Sequence, residues 1–246
     1  MTKIFLPLFV LLTLNGCSTK DTTPVASQIN PDRVQEAEYK LIMYNQDKNK
    51  ISSIGILDRR VEFFEFDSIP AIKISEVYTD GFIENKTITF INKETLKPIY
   101  LEKSRNDTLL SKSHFDKKTI KNYEFNSEEV IENELPNYSD SFASNSFSEI
   151  IQGYNFNIYE KVEFKTFSPG SIPGLFVVER VGQEDFELPN ESKLQTWLLK
   201  FTRIDENGEQ APAGFRYIDK ETGKVLRFKT EIESDSYFTY QIIFMK

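Results

Sequence analysis

From Glu36 to the C-terminus, apolar and polar side chains alternate with a period of two, and the alternation is broken at intervals by turn residues. Ala37, Tyr39, Leu41 and Met43 alternate with polar neighbours. So do Ile72 with Ile74, and Ile88 with Phe90 against Thr87 and Thr89. Phe156, Ile158, Val162 and Phe164 read as one face of a strand whose other face carries Asn157, Lys161, Glu163 and Lys165. Trp197, Leu199 and Phe201 mark a further strand, and Phe238, Tyr240, Ile242 and Phe244 close the chain. The pattern predicts roughly ten to twelve strands in a mainly β fold: a large curved antiparallel sheet or half-open β-barrel with one wet face. Turns fall at Asn106-Asp107, Asn207-Gly208 and Thr222-Gly223.

Two mid-chain stretches depart from period two. Asn126 to Leu135 has a capping residue and an acidic first turn ahead of Val130 and Ile131, which predicts a short helix. Ser144 to Gln152 sets Phe147, Ile150 and Ile151 at helical spacing, with Gly153 as the stop.

The first residues follow a third pattern. Lys3 precedes an apolar run from Ile4 to Leu14, broken by Pro7 and Thr13, and too short for a bilayer that needs about 20 apolar residues. The run ends in Leu14-Asn15-Gly16-Cys17, which resembles a lipobox, although Asn15 stands where small apolar or hydroxyl residues are commoner. Residues 1–16 are therefore read as a lipoprotein signal peptide and Cys17 as the lipidation site. Residues 17–35 read as the lipidated cysteine and a flexible tether of Ser, Thr, Asp, Pro and Asn, and residues 36–246 as a single β-rich domain. Two acyl chains and an amide-linked third, of the palmitate kind, anchor far more firmly than one myristoyl chain. Ser18 in place of Asp directs the expectation to the bacterial outer membrane. The absence of an acidic run after Cys17 directs it to the periplasmic face.

Composition narrows the chemistry. Cys17 is the only cysteine, so no disulfide forms within one copy. The 21 Phe and 11 Tyr favour strands and supply a sizeable core. With 30 basic and 38 acidic side chains the net charge is -8, about -9 once Lys3 is removed, and no basic stripe argues for nucleic acid. His114 is the only histidine and shares its strand face with Leu110 and Lys112, so neither a zinc cluster nor a Ser-His-Asp triad assembles around it, and no Gly-x-Ser-x-Gly elbow is present. Glu62, Glu65, Glu128, Glu129, Glu132, Glu184, Asp185 and Glu187 read as a solvated acidic face, not an acid-base pair. Asp205-Glu206-Asn207-Gly208-Glu209 reads as a hairpin turn, since the twelve-residue calcium loop is not met. No enzymatic activity, catalytic residue, metal or cofactor is expected.

Phe90-Ile91-Asn92-Lys93-Glu94-Thr95-Leu96-Lys97-Pro98-Ile99 is echoed by Tyr217-Ile218-Asp219-Lys220-Glu221-Thr222-Gly223-Lys224-Val225-Leu226. Each is a strand end, a turn built on Asn or Asp, and a new strand. These paired hairpins, with the Asp140-Ser141-Phe142 to Tyr154 segment between them, resemble an uncharacterised family of exported bacterial lipoproteins related to the lipoprotein carriers LolA and LolB. The resemblance implies a half-open barrel whose concave side, partly closed by helices, holds a lipid or acyl chain. Phe142, Phe147, Tyr154, Phe156, Trp197 and Phe201 are the candidate ligand-binding residues, because ligand sites are mostly apolar. The expected partners are the membrane, through the lipid anchor, and a lipid or acyl ligand. The alternative is a scaffold lipoprotein docking an envelope protein through an exposed strand edge, for which Lys117 to Glu124 is the candidate.

Overall fold

A computed structural model describes residues 28–48, 50–126, 129–189, 191–233 and 236–246. The expected signal peptide and Cys17 lie outside the described residues. Eight strands run first as a meander: β1 (Ala37–Asp47), β2 (Lys50–Phe66), β3 (Ile69–Asp80), β4 (Ile83–Asn92), β5 (Pro98–Arg105), β6 (Thr108–Phe115), β7 (Thr119–Phe125) and β8 (Val130–Pro136). A three-residue strand β9 (Ser141–Ala143) and the short helix α1 (Phe147–Gly153) follow. The chain then returns through β10 (Lys161–Phe167), β11 (Gly174–Glu187), β12 (Lys193–Ile204), β13 (Gly214–Asp219), β14 (Val225–Glu233) and β15 (Ser236–Met245).

All fifteen strands form one sheet in the order β8-β7-β6-β5-β4-β3-β2-β1-β15-β14-β13-β12-β11-β10-β9. Every neighbouring pair is antiparallel except β9 with β10. The first and last strands, β1 and β15, pair at its middle. The two edge strands, β8 and β9, do not pair, so the sheet is not a closed barrel. Only residues 137–140 separate them, and five Cα steps reach at most about 19 Å, so the sheet must curl until its ends nearly meet. Contacts cross that seam: the Phe115 and Phe167 rings are 6.1 Å apart, and Lys97 Nζ donates to the Ser141 carbonyl at 3.1 Å. Among the described residues no helix is long and apolar enough to cross a membrane.

α1 lies against the inner face of this curl. Its Phe147, Ile150 and Ile151 join one apolar cluster with Leu41, Ile72 and Ile74 from the first meander and Val178, Leu199 and Ile218 from the second. Helical spacing put those three on one face, and the core covers it.

Four expectations need correction. Residues 130–136 form an edge strand, not a helix: Asn126 Oδ1 accepts from the Glu129 N–H at 2.8 Å, which caps a hairpin turn with the geometry that would cap a helix. The segment around Lys117 to Glu124 is not an edge, because β7 lies between β6 and β8. Phe156 and Ile158 are not on a strand with Val162 and Phe164. Asn155 turns the chain by accepting from the Ile158 and Tyr159 N–H groups, which leaves Ile158 exposed while Phe156 is buried. The expected tether is docked at its end, since the Asn30 N–H donates to the Gly153 carbonyl at 2.9 Å and Val34 is buried in the core.

Candidate functional site

The inner face between α1 and strands β10 to β14 is lined with aromatic rings. Alternation aims Phe164, Phe176 and Phe201 inward from three neighbouring strands, and the first residue of α1, Phe147, drops among them. Its ring lies 5.2 Å from Phe164, 5.1 Å from Phe176 and 5.9 Å from Phe201, while Phe201 stacks on Phe228 at 5.2 Å. Gly214 makes the Phe201 position possible, because a Cβ there would collide with the ring's Cζ and Cε1. Beside these rings is a cavity of about 450 Å³, bordered by Phe147, Ile172, Phe176, Phe201, Arg216 and Phe228 among others.

A smaller hollow adjoins it, and a third adjoins that one. One of about 260 Å³ shares Ser144, Phe147 and Arg216 with it, and another of about 200 Å³ shares Arg59, Glu76, Ser148 and Tyr240 with the second. The shared walls make a row of three hollows along α1.

Two arginines stand in this row. Arg59 on β2 is buried, and its Nη2 donates to both carboxylate oxygens of Glu149 on α1 at 2.7 Å. Its Nη1 donates to Glu76. Burial opposes the charge, but Glu149 and then Glu76 outweigh it and hold the guanidinium above its ordinary range. This bridge pins the helix to the sheet. Arg216 on β13 ion-pairs with no described carboxylate and is covered instead by rings, with its Cζ 4.0 Å from the Phe147 centroid and 4.7 Å from Phe228. Burial pushes it below the usual guanidinium range.

The six aromatic residues picked from the sequence separate in space. Phe147 and Phe201 border the cavity of about 450 Å³. Phe142, Tyr154 and Phe156 are packed in the core and border none of these three hollows. Trp197 is half-buried beside none of them, with Nε1 donating to Asn157 Oδ1 at 3.0 Å and its ring between Lys220 (4.0 Å) and Arg180 (4.5 Å). Arg59, Glu149 and Arg216 did not emerge from the sequence, although period two puts Arg216 on the same face as Gly214 and the buried Ile218.

The other chemical candidates are dispersed. Among the described residues no group of three or more His, Cys, Asp or Glu side chains converges. His114 is exposed, with its ring edge-on to Tyr100 at 4.8 Å. Glu62 makes outer ion pairs with Arg60 and Lys73 at 3.9 Å, and Glu128 lies outside the described residues. Asp205 Oδ1 accepts from the Asn207 and Glu209 N–H groups at 2.9 Å, which commits it to the turn.

The class is thus an open, curled antiparallel sheet with an inner helix and an aromatic hollow between them. Residues 53–237 match the family described as "Protein of unknown function (DUF3108)", and the chain belongs to that family. No curated protein matches the sequence. Among solved structures the chain is similar to the hypothetical lipoprotein YmcC from Escherichia coli. The two are 10% identical over 84% of each chain, with a TM-score of 0.32. It is also similar to a DUF1329 family protein from Desulfovibrio piger, 12% identical over 91% of this chain and 92% of that one, with a TM-score of 0.30.

Proposed function

We propose that this protein is a non-enzymatic lipoprotein of the bacterial envelope that holds a hydrophobic ligand, a lipid or acyl chain, on the inner face of its sheet. The observation that carries the reading is the cavity of about 450 Å³ walled by Phe147, Phe176, Phe201 and Phe228. Its size falls within the roughly 300–1,000 Å³ of small-molecule sites, and its walls are mostly apolar, as such sites are. The lipobox at Leu14 to Cys17 supports anchoring by acylation, with the outer membrane and its periplasmic face as the location.

The test is extraction. Protein purified from cells and washed free of detergent yields a defined lipid by mass spectrometry, and Phe201→Asp, with its charge in the cavity wall, loses that lipid while keeping its far-ultraviolet spectrum. A folded wild-type protein that carries no lipid and enhances no apolar fluorophore sinks the reading. Separately, labelled palmitate is incorporated by the wild type and not by Cys17→Ser. The docking alternative draws less support. Edge strand β9 is three buried residues long, and edge strand β8 carries Glu132, Glu134 and Pro136, which discourage strand addition.

A further inference from the structure

Arg216 is 6% exposed, yet its Nε and Nη1 make no hydrogen bond to any described residue. The Phe147, Phe228 and Phe201 ring centroids lie 4.0, 4.7 and 5.2 Å from the guanidinium Cζ. Ring faces attract a cation but are only weak acceptors for its N–H groups. Glu149 and Glu76, the latter on a hollow that Arg216 also borders, both bond Arg59. A buried charge without a partner costs several kcal/mol, so the fold alone gives no reason to keep one.

The cavity beside it has an unusual charge balance for this chain. Its walls hold Arg216 inside and the exposed Arg203 among its borders, and no Asp or Glu, in a protein with 38 acidic and 30 basic side chains. The rest of the wall is four Phe rings of the aromatic cluster, with Phe167, Ile172 and small hydroxyl residues. A hollow that is greasy along its length and cationic at one buried point fits a molecule with a hydrocarbon tail and a negative head.

We propose that the cavity takes an amphiphile with an oxyanion head, a carboxylate or a phosphate. The head oxygens accept hydrogen bonds from Arg216, and the tail lies against Phe147, Phe176, Phe201 and Phe228. This rests on the hydrophobic-ligand reading above and adds to it the charge of the head and the residue that reads it.

The test compares a charged and an uncharged form of one chain. The full chain carrying Cys17→Ser is titrated with cis-parinaric acid and with its methyl ester, following fluorescence. The acid is expected to bind at least about tenfold tighter, the return on a charge-assisted hydrogen bond. Arg216→Met abolishes the preference and leaves ester affinity within about threefold, while Arg216→Lys, which keeps the charge, retains part of it. Equal binding of acid and ester by the wild type, or a preference that survives Arg216→Met, overturns the head-group assignment while leaving the hydrophobic-ligand reading in place. Binding of neither form sinks both. Competition on the wild type covers the case in which Arg216→Met fails to fold. Displacement by laurate alone marks a carboxylate head, displacement by dodecyl phosphate alone marks a phosphate head, and displacement by dodecanol as effective as either overturns the proposal.

Discussion

The β4–β5 and β13–β14 hairpins, 127 positions apart, turn through the same hydrogen bonds yet meet the helix in opposite ways. In the first, Asn92 Oδ1 accepts from the Glu94 and Thr95 N–H groups, the Leu96 N–H reaches the Asn92 carbonyl at 2.8 Å, and the Asn92 N–H reaches Lys97 O at 2.8 Å. In the second, the Asp219 carboxylate accepts from Glu221 and Thr222, the Gly223 N–H reaches the Asp219 carbonyl at 2.8 Å, and the Asp219 N–H reaches Lys224 O at 2.9 Å. Even the bulge recurs, between Phe90 and Ile91 in one and between Tyr217 and Ile218 in the other. The left-handed position differs: Leu96 has φ +55° and Gly223 has φ +73°.

Both turns grip the last residues of α1. Leu96 is fully buried and points at Gly153, where an added Cβ would sit 3.4 Å from Leu96 Cδ1. Gly223 abuts Gln152, and a Cβ on it would sit 3.2 Å from the Gln152 Cα. Where the helix has a glycine the turn supplies a side chain, and where the helix has a side chain the turn supplies a glycine. Leucine in the left-handed region costs about 1–2 kcal/mol, and burying its side chain returns about 1.5–3 kcal/mol, so the exchange comes out near balance or better. One turn geometry thus serves two packing solutions, because hydrogen bonds set the turn and the neighbour sets the residue.

Four substitutions break or sharpen that comparison. Leu96→Ala has the largest effect: it keeps the strained backbone and empties a core position, for a loss of about 2–5 kcal/mol in urea unfolding. Gly223→Leu, which copies the first turn into the second, costs about 2 kcal/mol or more, because the space that Leu96 fills is taken here by Gln152. A neutral Gly223→Leu would mean that the two turns are interchangeable. Asn92→Ala and Asp219→Ala each cost about 1 kcal/mol by orphaning turn N–H groups, and they should agree with each other within about 0.5 kcal/mol. A wide gap between them would show that one turn depends on its side chain and the other does not.

The smallest effect is one of pH. Burial lowers Lys97 to about 8 despite Asp140, and burial lowers Lys224 too, against Asp219. An unfolded lysine titrates near 10.4. Between about pH 8 and 10 the folded chain therefore binds fewer protons than the unfolded one, and the contribution of these lysines to stability rises with pH. Lys97 is partly open to solvent, so screening holds the gain to about 0.5 kcal/mol or less. Thermal melts of the wild type and Lys97→Met across that range should converge as pH rises, and parallel curves would remove Lys97 from the account.

Much of the fold was legible in the sequence, since a half-buried strand writes its two faces into every second residue. Ala37, Tyr39 and Leu41 in β1, and Leu199 and Phe201 in β12, are buried as their alternation required. Phe147, Ile150 and Ile151 identified the helix at once. The alternation failed where a local signal has two meanings. Asn126 bonding forward suits a helix cap and a hairpin turn alike, and only the pairing of β8 with β7 chose between them. At the candidate site, Phe147 and Phe201 were visible as large apolar side chains. The sequence had no means of separating them from Phe142, Tyr154 and Phe156, because core filler and cavity wall are the same residue type.

Composition and period by themselves determined the strand-rich class, the place of the helix and the two Asx turns, for each is written in neighbouring residues. The curl of the sheet, the hollow beside α1, the pairing of Arg59 with Glu149 and the unpaired edge of Arg216 were decided only by the tertiary structure. They depend on which residues, as many as 90 positions apart for Arg59 and Glu149, come within bonding distance, and no local pattern encodes that separation.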